Sequence, residues 1–151
     1  MGQQQLLLLV LGVIIVGIAV AAGINMFSSS AIDANRDAIS ADLTHLASKA
    51  QQHFKKPTTM GGSGNDFVGF TLGTLDQSNG SGAFRVVTSL PTNADLVGAA
   101  PAPIAANTAV SASADSIYVV GYGVEDGRDD SNLVMMYALV TGNVIQAAVL
   151  N

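Results

Sequence analysis

The first 27 residues constrain the fold more than any other stretch, because they contain no charged side chain. From Leu6 to Ile24 only Leu, Ile, Val, Ala and Gly occur. As an α-helix this stretch would rise about 28 Å, close to the roughly 30 Å thickness of the hydrocarbon core of a bilayer. The segment is therefore predicted to lie in lipid or against copies of itself.

A secretory signal peptide is the first alternative for this segment. Such a peptide has an apolar core of about 7–15 residues, preceded by Lys or Arg and followed by a small-residue cleavage site. The run from Leu6 to Ile24 is longer, and no basic residue precedes it. We therefore expect the mature protein to retain it.

A helical pattern continues beyond the apolar run, which a simple transmembrane anchor does not explain. Between residues 28 and 54 apolar side chains recur at the spacing of one helix face, at Ile32, Ile39, Leu43, Leu46, Ala50 and Phe54. Pro57 then disfavours helical geometry at the preceding residue. The sequence predicts one helix of roughly 50 residues, apolar in residues 1–27 and amphipathic in residues 28–56. Residues 1–56 contain no Pro, so we expect continuous helical hydrogen bonding from about Leu6 to about Phe54.

Residues 58–151 have the pattern of a β-rich globular head. Short apolar runs separated by turn residues predict strands at Asp66–Leu72, Ala83–Leu90, Ser116–Val124, Asn132–Thr141 and Val144–Leu150. Gly142 and Asn143 suit a tight hairpin between the last two, and the stretch from Pro91 to Ser113 is predicted to be a surface loop. The predicted fold class is α+β, with the long helix packed against a C-terminal antiparallel sheet.

This order of elements resembles the type IV pilins and pilin-like filament subunits. The uncharged helix at Leu6–Ile24, its amphipathic continuation and the β-rich head carry the resemblance. It implies a leader removed by a prepilin peptidase, a methylated amino terminus at Met1, and helices bundled at the centre of a helical filament. The partners it implies are identical subunits, the inner or cytoplasmic membrane before assembly, and the pilus assembly machinery.

The chain departs from the family pattern at three points. Gln5 stands where the family usually has Glu, whose carboxylate can neutralise the amino terminus of a neighbouring subunit. Ala22 stands where many bacterial members have Pro, and the chain has no Cys for a disulfide near the carboxyl end. An amide accepts a hydrogen bond from an ammonium group but supplies no charge. We therefore interpret the chain as a divergent member.

The resemblance implies that assembly contacts lie on the apolar helix. Gly17 with Ala21, and Ala19 with Gly23, offer the small-xxx-small surfaces on which apolar helices pack closely. The predicted assembly residues are Met1, Gln5, Leu6, Leu9, Gly12, Ile15, Gly17, Ala21 and Gly23. The expected function is that of major structural subunit of an extracellular filament used for adhesion, attachment or surface motility. The alternative is a membrane-anchored minor pilin or a secretion-system pseudopilin.

The charge distribution limits the partners of the head. Residues 1–56 carry a net charge of +1 and the remainder a net charge of −6, giving −5 for the chain. Contacts to nucleic-acid phosphates need Lys and Arg, so the acidic head argues against nucleic-acid binding. No arrangement typical of a nucleophilic, metal-dependent or cofactor-dependent enzyme occurs, and no enzyme activity or cofactor is predicted.

Three features suggest more specific chemistry. The loop containing Glu125, Asp126, Asp129 and Asp130 has oxygen ligands of the kind that Ca²⁺ prefers, but it lacks EF-hand spacing and contains Arg128. A solvated loop is therefore favoured over a metal site. His45 and His53 lie two helical turns apart without an evident third ligand. Asn79 begins an Asn-Gly-Ser acceptor sequence for N-glycosylation in a loop that we expect to be exposed.

Overall fold

The computed structural model describes residues 2–89, 109–110, 113–127 and 132–150. One long helix, α1 (Gly2–Lys55), precedes two short 3₁₀ turns at Thr58–Met60 and Thr74–Asp76. Five strands follow, namely β1 (Ser78–Asn79), β2 (Gly82–Val87), β3 (Ser116–Asp126), β4 (Leu133–Thr141) and β5 (Ile145–Val149). The fold class is α+β, as the sequence predicted.

The strands form one sheet in the order β1-β2-β3-β4-β5, and every neighbouring pair is antiparallel. In the centre Gly121 of β3 lies between Phe84 of β2 and Met136 of β4. The ladder between β3 and β4 is irregular between Tyr122 and Asp126. Consecutive strands commonly pair as neighbours in a sheet, and here they do so even though the connection between β2 and β3 spans residues 88–115.

The core lies between the second half of α1 and one face of the sheet. The helix buries Ile39, Leu43, Leu46, Ala47 and Ala50 against β3 and β4. Ile32 and Phe54 are half-buried at the two ends of this stripe. The predicted amphipathic face is therefore confirmed, because the 3.6-residue period places these side chains on one side of the helix.

The helix is continuous from its first described residue to the head. Its 54 residues correspond to about 80 Å of helix, and helical structure passes through Gly12, Gly17 and Gly23 without interruption. It ends at Lys55, two residues before Pro57, where the amide of Lys56 still donates to the carbonyl of Gln52 at 3.1 Å. The predicted continuity holds in the single chain, since no proline removes a backbone donor before this point.

The predicted strand at Asp66–Leu72 is wrong. This segment forms turns: Gly69 has a φ of +77°, and the amide of Phe70 donates to the carbonyl of Phe67 at 3.0 Å. Phe67, Phe70 and Leu72 are nevertheless buried. The apolar residues of this segment are therefore correctly predicted to be buried, but they do not lie in a strand. Gly69, in the left-handed conformation, interrupts the extended backbone that a strand requires.

The other strand predictions differ from the structure mainly at their ends. The second predicted strand is observed as Gly82–Val87, and the last three are observed close to their predicted positions. The turn-rich stretch before β2 contains the two-residue strand β1, which was not predicted. In the predicted hairpin the amide of Thr141 donates to the carbonyl of Val144 at 2.9 Å. Most of the predicted loop from Pro91 to Ser113 lies outside the described residues.

Candidate assembly surface

The first half of α1 is an apolar surface that the head does not cover. All 13 Leu, Ile and Val side chains between Leu6 and Ile24 are exposed, with exposed fractions from 51% to 69%. The buried part of the helix begins only at Ile39. A monomeric soluble protein rarely exposes so large a continuous apolar area, so this surface indicates a partner or a lipid environment.

The length and composition of the helix are compatible with embedding in a membrane. Its most apolar 18-residue window has a mean hydropathy of 3.0 and is 0% buried, and α1 is the one helix among the described residues that is long and apolar enough to cross a bilayer. A core helix of a soluble protein with this composition would be mostly buried, and this segment is not.

The predicted assembly residues encircle the helix rather than meeting in one pocket. At about 100° per residue, Gln5, Leu9, Gly12 and Gly23 share one face. Leu6, Gly17 and Ala21 lie on a second face about 120° away, and Ile15 lies at the edge of the first. Met1 is outside the described residues. These residues are therefore distributed over more than one face of the helix, and their contacts with other subunits stay a prediction.

The glycines of the apolar half leave open space beside the helix. A Cβ added at Gly12, Gly17 or Gly23 would meet nothing within 4 Å. Within this chain, therefore, no packing requires these residues to be glycine. Close approach of a second helix is a physical reason for them, because a missing side chain lets two backbones come together.

The amphipathic half of the helix joins the head through a polar bridge that the sequence did not predict. The Asn35 side-chain amide donates to the carbonyl of Ser81 at 2.9 Å, and its oxygen accepts from the amide of Val124 at 3.3 Å. One helix residue thereby binds the turn before β2 and the end of β3. The sequence carried a partial signal, since Asn is unusual inside a helix unless its side chain has a partner.

Two glycines of β3 let the sheet approach the helix at this junction. A Cβ on Gly121 would lie 2.8 Å from Cγ2 of Ile39, and one on Gly123 would lie 3.0 Å from Cδ1 of the same side chain. Both glycines are buried and lie on the same face of the strand. The Gly-x-Gly spacing inside an apolar strand was the available signal, because glycine in a strand interior often marks close backbone approach.

A second polar centre joins the loop after the helix to the beginning of β3. Asp66 Oδ1 accepts from the amides of Phe67, Val68 and Ala114 at 2.6, 3.1 and 2.9 Å, and Oδ2 accepts from Ser113 Oγ at 2.6 Å. The hydrogen bond from Ser113, followed by that from Ala114, holds the pKa of the Asp66 carboxyl below its usual value of 3.8. The ionised carboxylate therefore ties two distant segments of the head together.

Lys49 and Asp76 form the closest ion pair of the described residues. Lys49 Nζ donates to both carboxylate oxygens, at 2.8 and 2.9 Å, and so fastens the 3₁₀ turn before β1 to the helix. A weaker pair joins Arg36 to Asp33 at 3.9 Å. Both pairs are partly exposed, so each is a modest contribution to stability.

The outer face of the sheet carries the tyrosines of the chain. The guanidinium of Arg85 lies 5.0 Å from the ring centroid of Tyr122, and the rings of Tyr118 and Tyr137 meet edge to face at 6.0 Å. Burial raises the pKa of the Tyr122 hydroxyl, and the nearby Arg85 charge opposes that shift. The cation–π contact between Arg85 and Tyr122 therefore links β2 to β3 on the face of the sheet that points away from the helix.

The glycosylation candidate lies on the head surface but is hydrogen-bonded. Asn79 is exposed in β1, and its Nδ2 donates to the carboxylate of Asp42 at 2.7 Å. Its Oδ1 accepts from the amides of Ser81 and Gly82 at 2.9 and 3.1 Å. The side chain is therefore exposed as a whole but held in place by an Asx turn and by the contact of its nitrogen with Asp42. Whether it carries a sugar stays a prediction.

The metal candidates do not form a cluster in the described part of the chain, where no three His, Cys, Asp or Glu side chains converge. Glu125 and Asp126 are exposed at the end of β3, and Asp129 and Asp130 lie outside the described residues. His45 is exposed, whereas His53 packs against Phe70 with ring centroids 5.5 Å apart. The two histidines therefore occupy different environments.

Comparison with protein-family models, with curated proteins and with solved structures finds no match to this chain. The molecule itself has the general pilin-like α+β architecture, with one long apolar N-terminal helix and an antiparallel sheet packed on its second half. Its function is therefore argued below from this architecture and from the surfaces that the fold leaves uncovered.

Proposed function

We propose that this chain is the major structural subunit of an extracellular type IV pilus or pilus-like filament, assembled through its N-terminal helix. The observation that carries the proposal is that one half of the helix is apolar and exposed, whereas the other half packs into the core of the head. The head buries its own apolar residues without help from Leu6–Ile24. The free apolar half is thus available for contacts between copies.

Energetics favour two environments for the exposed segment. Burying each of its large apolar side chains from water is worth roughly 1.5–3 kcal/mol, so burial of the whole segment is worth tens of kcal/mol. Lipid and neighbouring helices are about equally apolar, so this term does not distinguish them. The membrane can therefore hold unassembled subunits, and close packing and shape then determine transfer into a filament.

The rigid connection between the two halves favours a filament over a simple anchor. An anchor needs only a membrane-length helix and tolerates a flexible linker. Here the helix passes unbroken from Ile24 to Ile32, where the head first packs on it, and to Asn35, which the head binds by hydrogen bonds. This continuity fixes the orientation of each head relative to its apolar segment. Identical subunits with a fixed orientation can repeat head-to-tail without closing, which is the requirement for a helical fibre.

Adhesion, attachment or surface motility is the role that we assign to such a fibre. The expected partners are identical subunits, the membrane before assembly, a prepilin peptidase and the assembly machinery. We also expect no enzymatic activity and no cofactor. The head carries a net charge of −6 over residues 57–151, so we expect no nucleic-acid partner.

The alternative role is that of a minor pilin or pseudopilin that stays anchored in the membrane. Shearing cells that produce the chain and imaging the released material by electron microscopy separates the two roles. Fibres in which this chain is the main component support the proposal. Detection of the chain only as detergent-soluble copies in the membrane fraction supports the anchored alternative.

A further inference from the structure

The helix and the central strand give the head two defined ends. Asn35 binds the backbone at Val124, near the end of β3, whereas the Gln51 side chain donates to the carbonyl of Thr141, which pairs with the beginning of β3. The central strand β3 therefore runs opposite to α1. The end near Asn35, here called the lower end, faces the apolar segment, and the end near Lys56, the upper end, faces away from it.

The lower end is acidic. Glu125 and Asp126 are exposed at the end of β3. Asp33 and Asp37 are exposed on the helix turns that flank Asn35, on the side turned away from the sheet. Arg36 pairs with Asp33. Across the described residues, neither Glu125 nor Asp126 forms an ion pair. Within the described residues, Glu125 and Asp126 are therefore unneutralised carboxylates next to the point where the helix leaves the head.

The upper end carries a groove with the opposite charge. A shallow, open surface along the last turns of α1, here called the lysine groove, is lined by Ser48, Gln51, Gln52, Lys55 and Lys56. Ser48 and Gln51 donate to carbonyls within the chain. Lys55 and Lys56 are exposed, and within the described ranges neither has an acidic partner. No acid lines the groove, although Asp66 and Asp115 belong to the same end of the head.

We infer that the acidic lower end of one subunit docks on the lysine groove of the next subunit along the filament. The expected pairs join Glu125 and Asp126 of one copy to Lys55 and Lys56 of another. This inference rests on the proposed function. Subunits that are assembled from the same membrane all have the same orientation along the filament. The upper end of one head therefore meets the lower end of another, and two like ends do not meet. Opposite charges at the two ends then favour the correct axial register and disfavour others.

The two ends cannot pair within one subunit. Asn35 and Lys56 are separated by about 30 Å of helix, and the carboxylates lie beside Asn35. A disulfide requires Cα atoms about 4.4–6.8 Å apart. The chain has no native Cys, so cysteines introduced at both ends report only contacts between copies.

Charge reversal tests the inference in cells that assemble the wild-type chain. Lys55→Glu with Lys56→Glu, and separately Glu125→Lys with Asp126→Lys, should each lower the yield of sheared fibres by on the order of tenfold. All four substitutions together should restore most of the yield. Asp115→Lys is the matched control, since it reverses an exposed acid at the upper end and should leave the yield unchanged.

Cross-linking gives an independent readout. The variant with Lys56→Cys and Asp126→Cys should form a ladder of disulfide-linked multimers on mild oxidation, and either single variant should stop at dimers or monomers. The inference would be overturned if both charge reversals gave normal fibres. It would also be overturned if the fourfold variant did not restore the fibre yield and the double-cysteine variant formed no ladder of multimers. Either result would leave the filament proposal intact. Absence of fibres from the wild-type chain would overturn the proposed function itself.

Discussion

Gly121 lies directly against Ile39, so that a Cβ on the glycine would come within 2.8 Å of the Cγ2 of the isoleucine. The same Cβ would lie 3.0 Å from the ring of Phe84. All three residues are buried between the helix and the sheet. The absence of one side chain in β3 thus sets how closely the sheet packs on the helix.

Gly121→Ala should destabilise the head by roughly 1–3 kcal/mol, because the added methyl overpacks a closed core. Denaturation of the detergent-solubilised chain, followed by fluorescence of the sheet tyrosines, measures this loss. Gly80→Ala is the control, since a Cβ there meets nothing within 4 Å. Equal stability of the two variants would show that the helix can move away from the sheet without cost.

The hydrogen-bonded carboxylate of Asp66 predicts acid sensitivity. Its pKa is lowered in the folded chain, chiefly by Ser113, so the unfolded chain binds a proton more readily. The stabilisation is therefore present above about pH 4 and is lost as the pH falls through the folded pKa. Asp66→Asn should lower the melting temperature at pH 6, and the difference from wild type should shrink as the pH falls below the usual pKa of 3.8.

Asp115→Asn is the matched control for this pH profile. Asp115 is an exposed acid close to Ser113 and Ala114 in the chain, and it forms no hydrogen bond among the described residues. Its melting temperature should follow that of wild type from pH 6 to pH 2. A constant difference between Asp66→Asn and wild type across this range would contradict a role for the ionised carboxylate.

Gly17→Leu should reduce fibre formation while the amount of chain in the membrane stays normal. Gly17 has open space around it in the single chain, so the larger side chain costs nothing in the isolated fold. In an assembly it would separate helices that meet at Gly17 and Ala21. Leu8→Ile changes the shape of a side chain on the opposite side of the helix, about 180° from Gly17, and should assemble normally. Normal fibres from Gly17→Leu would exclude this face from the packing.

Gln5→Leu should impair assembly modestly. An amide in the apolar centre of a fibre needs hydrogen-bond partners, and the neighbouring glutamines or an amino terminus can supply them. Removing the amide leaves a partner unsatisfied, at a cost of roughly 1–3 kcal/mol per contact. The measurement is fibre yield relative to membrane-bound subunit. An unchanged ratio would show that the amide has no essential partner.

The long helix and its buried stripe could be predicted because local sequence determines them. Ile39, Leu43 and Leu46 follow a 3.6-residue period, and Pro57 marks the boundary just beyond the last turn. The strands of the C-terminal half could be located because β-branched runs alternate with turn residues. These patterns depend only on residues that are close together in the sequence, so the helix and the strands can be predicted without knowledge of the tertiary structure.

The residues that join the helix to the sheet could not be located in the same way. The partners of Asn35 lie 46 and 89 residues away in the chain, and Asp66 meets Ser113 across 47 residues. The failed strand at Asp66–Leu72 has a related cause, since its apolar residues are buried by turns rather than by a ladder. Long-range contacts of this kind depend on the arrangement of the whole head.

The most direct test of the central claim is an image reconstruction of intact fibres sheared from cells that produce this chain. We predict helices at the fibre axis, with Leu6–Ile24 of each subunit contacting several neighbours and remaining helical between Gly12 and Gly23. The heads should lie outside, each packed on its own helix through Ile39 and Leu43. Fibres in which Leu6–Ile24 packs mainly on its own head, or an extended stretch of three or more residues between the glycines, would contradict this account.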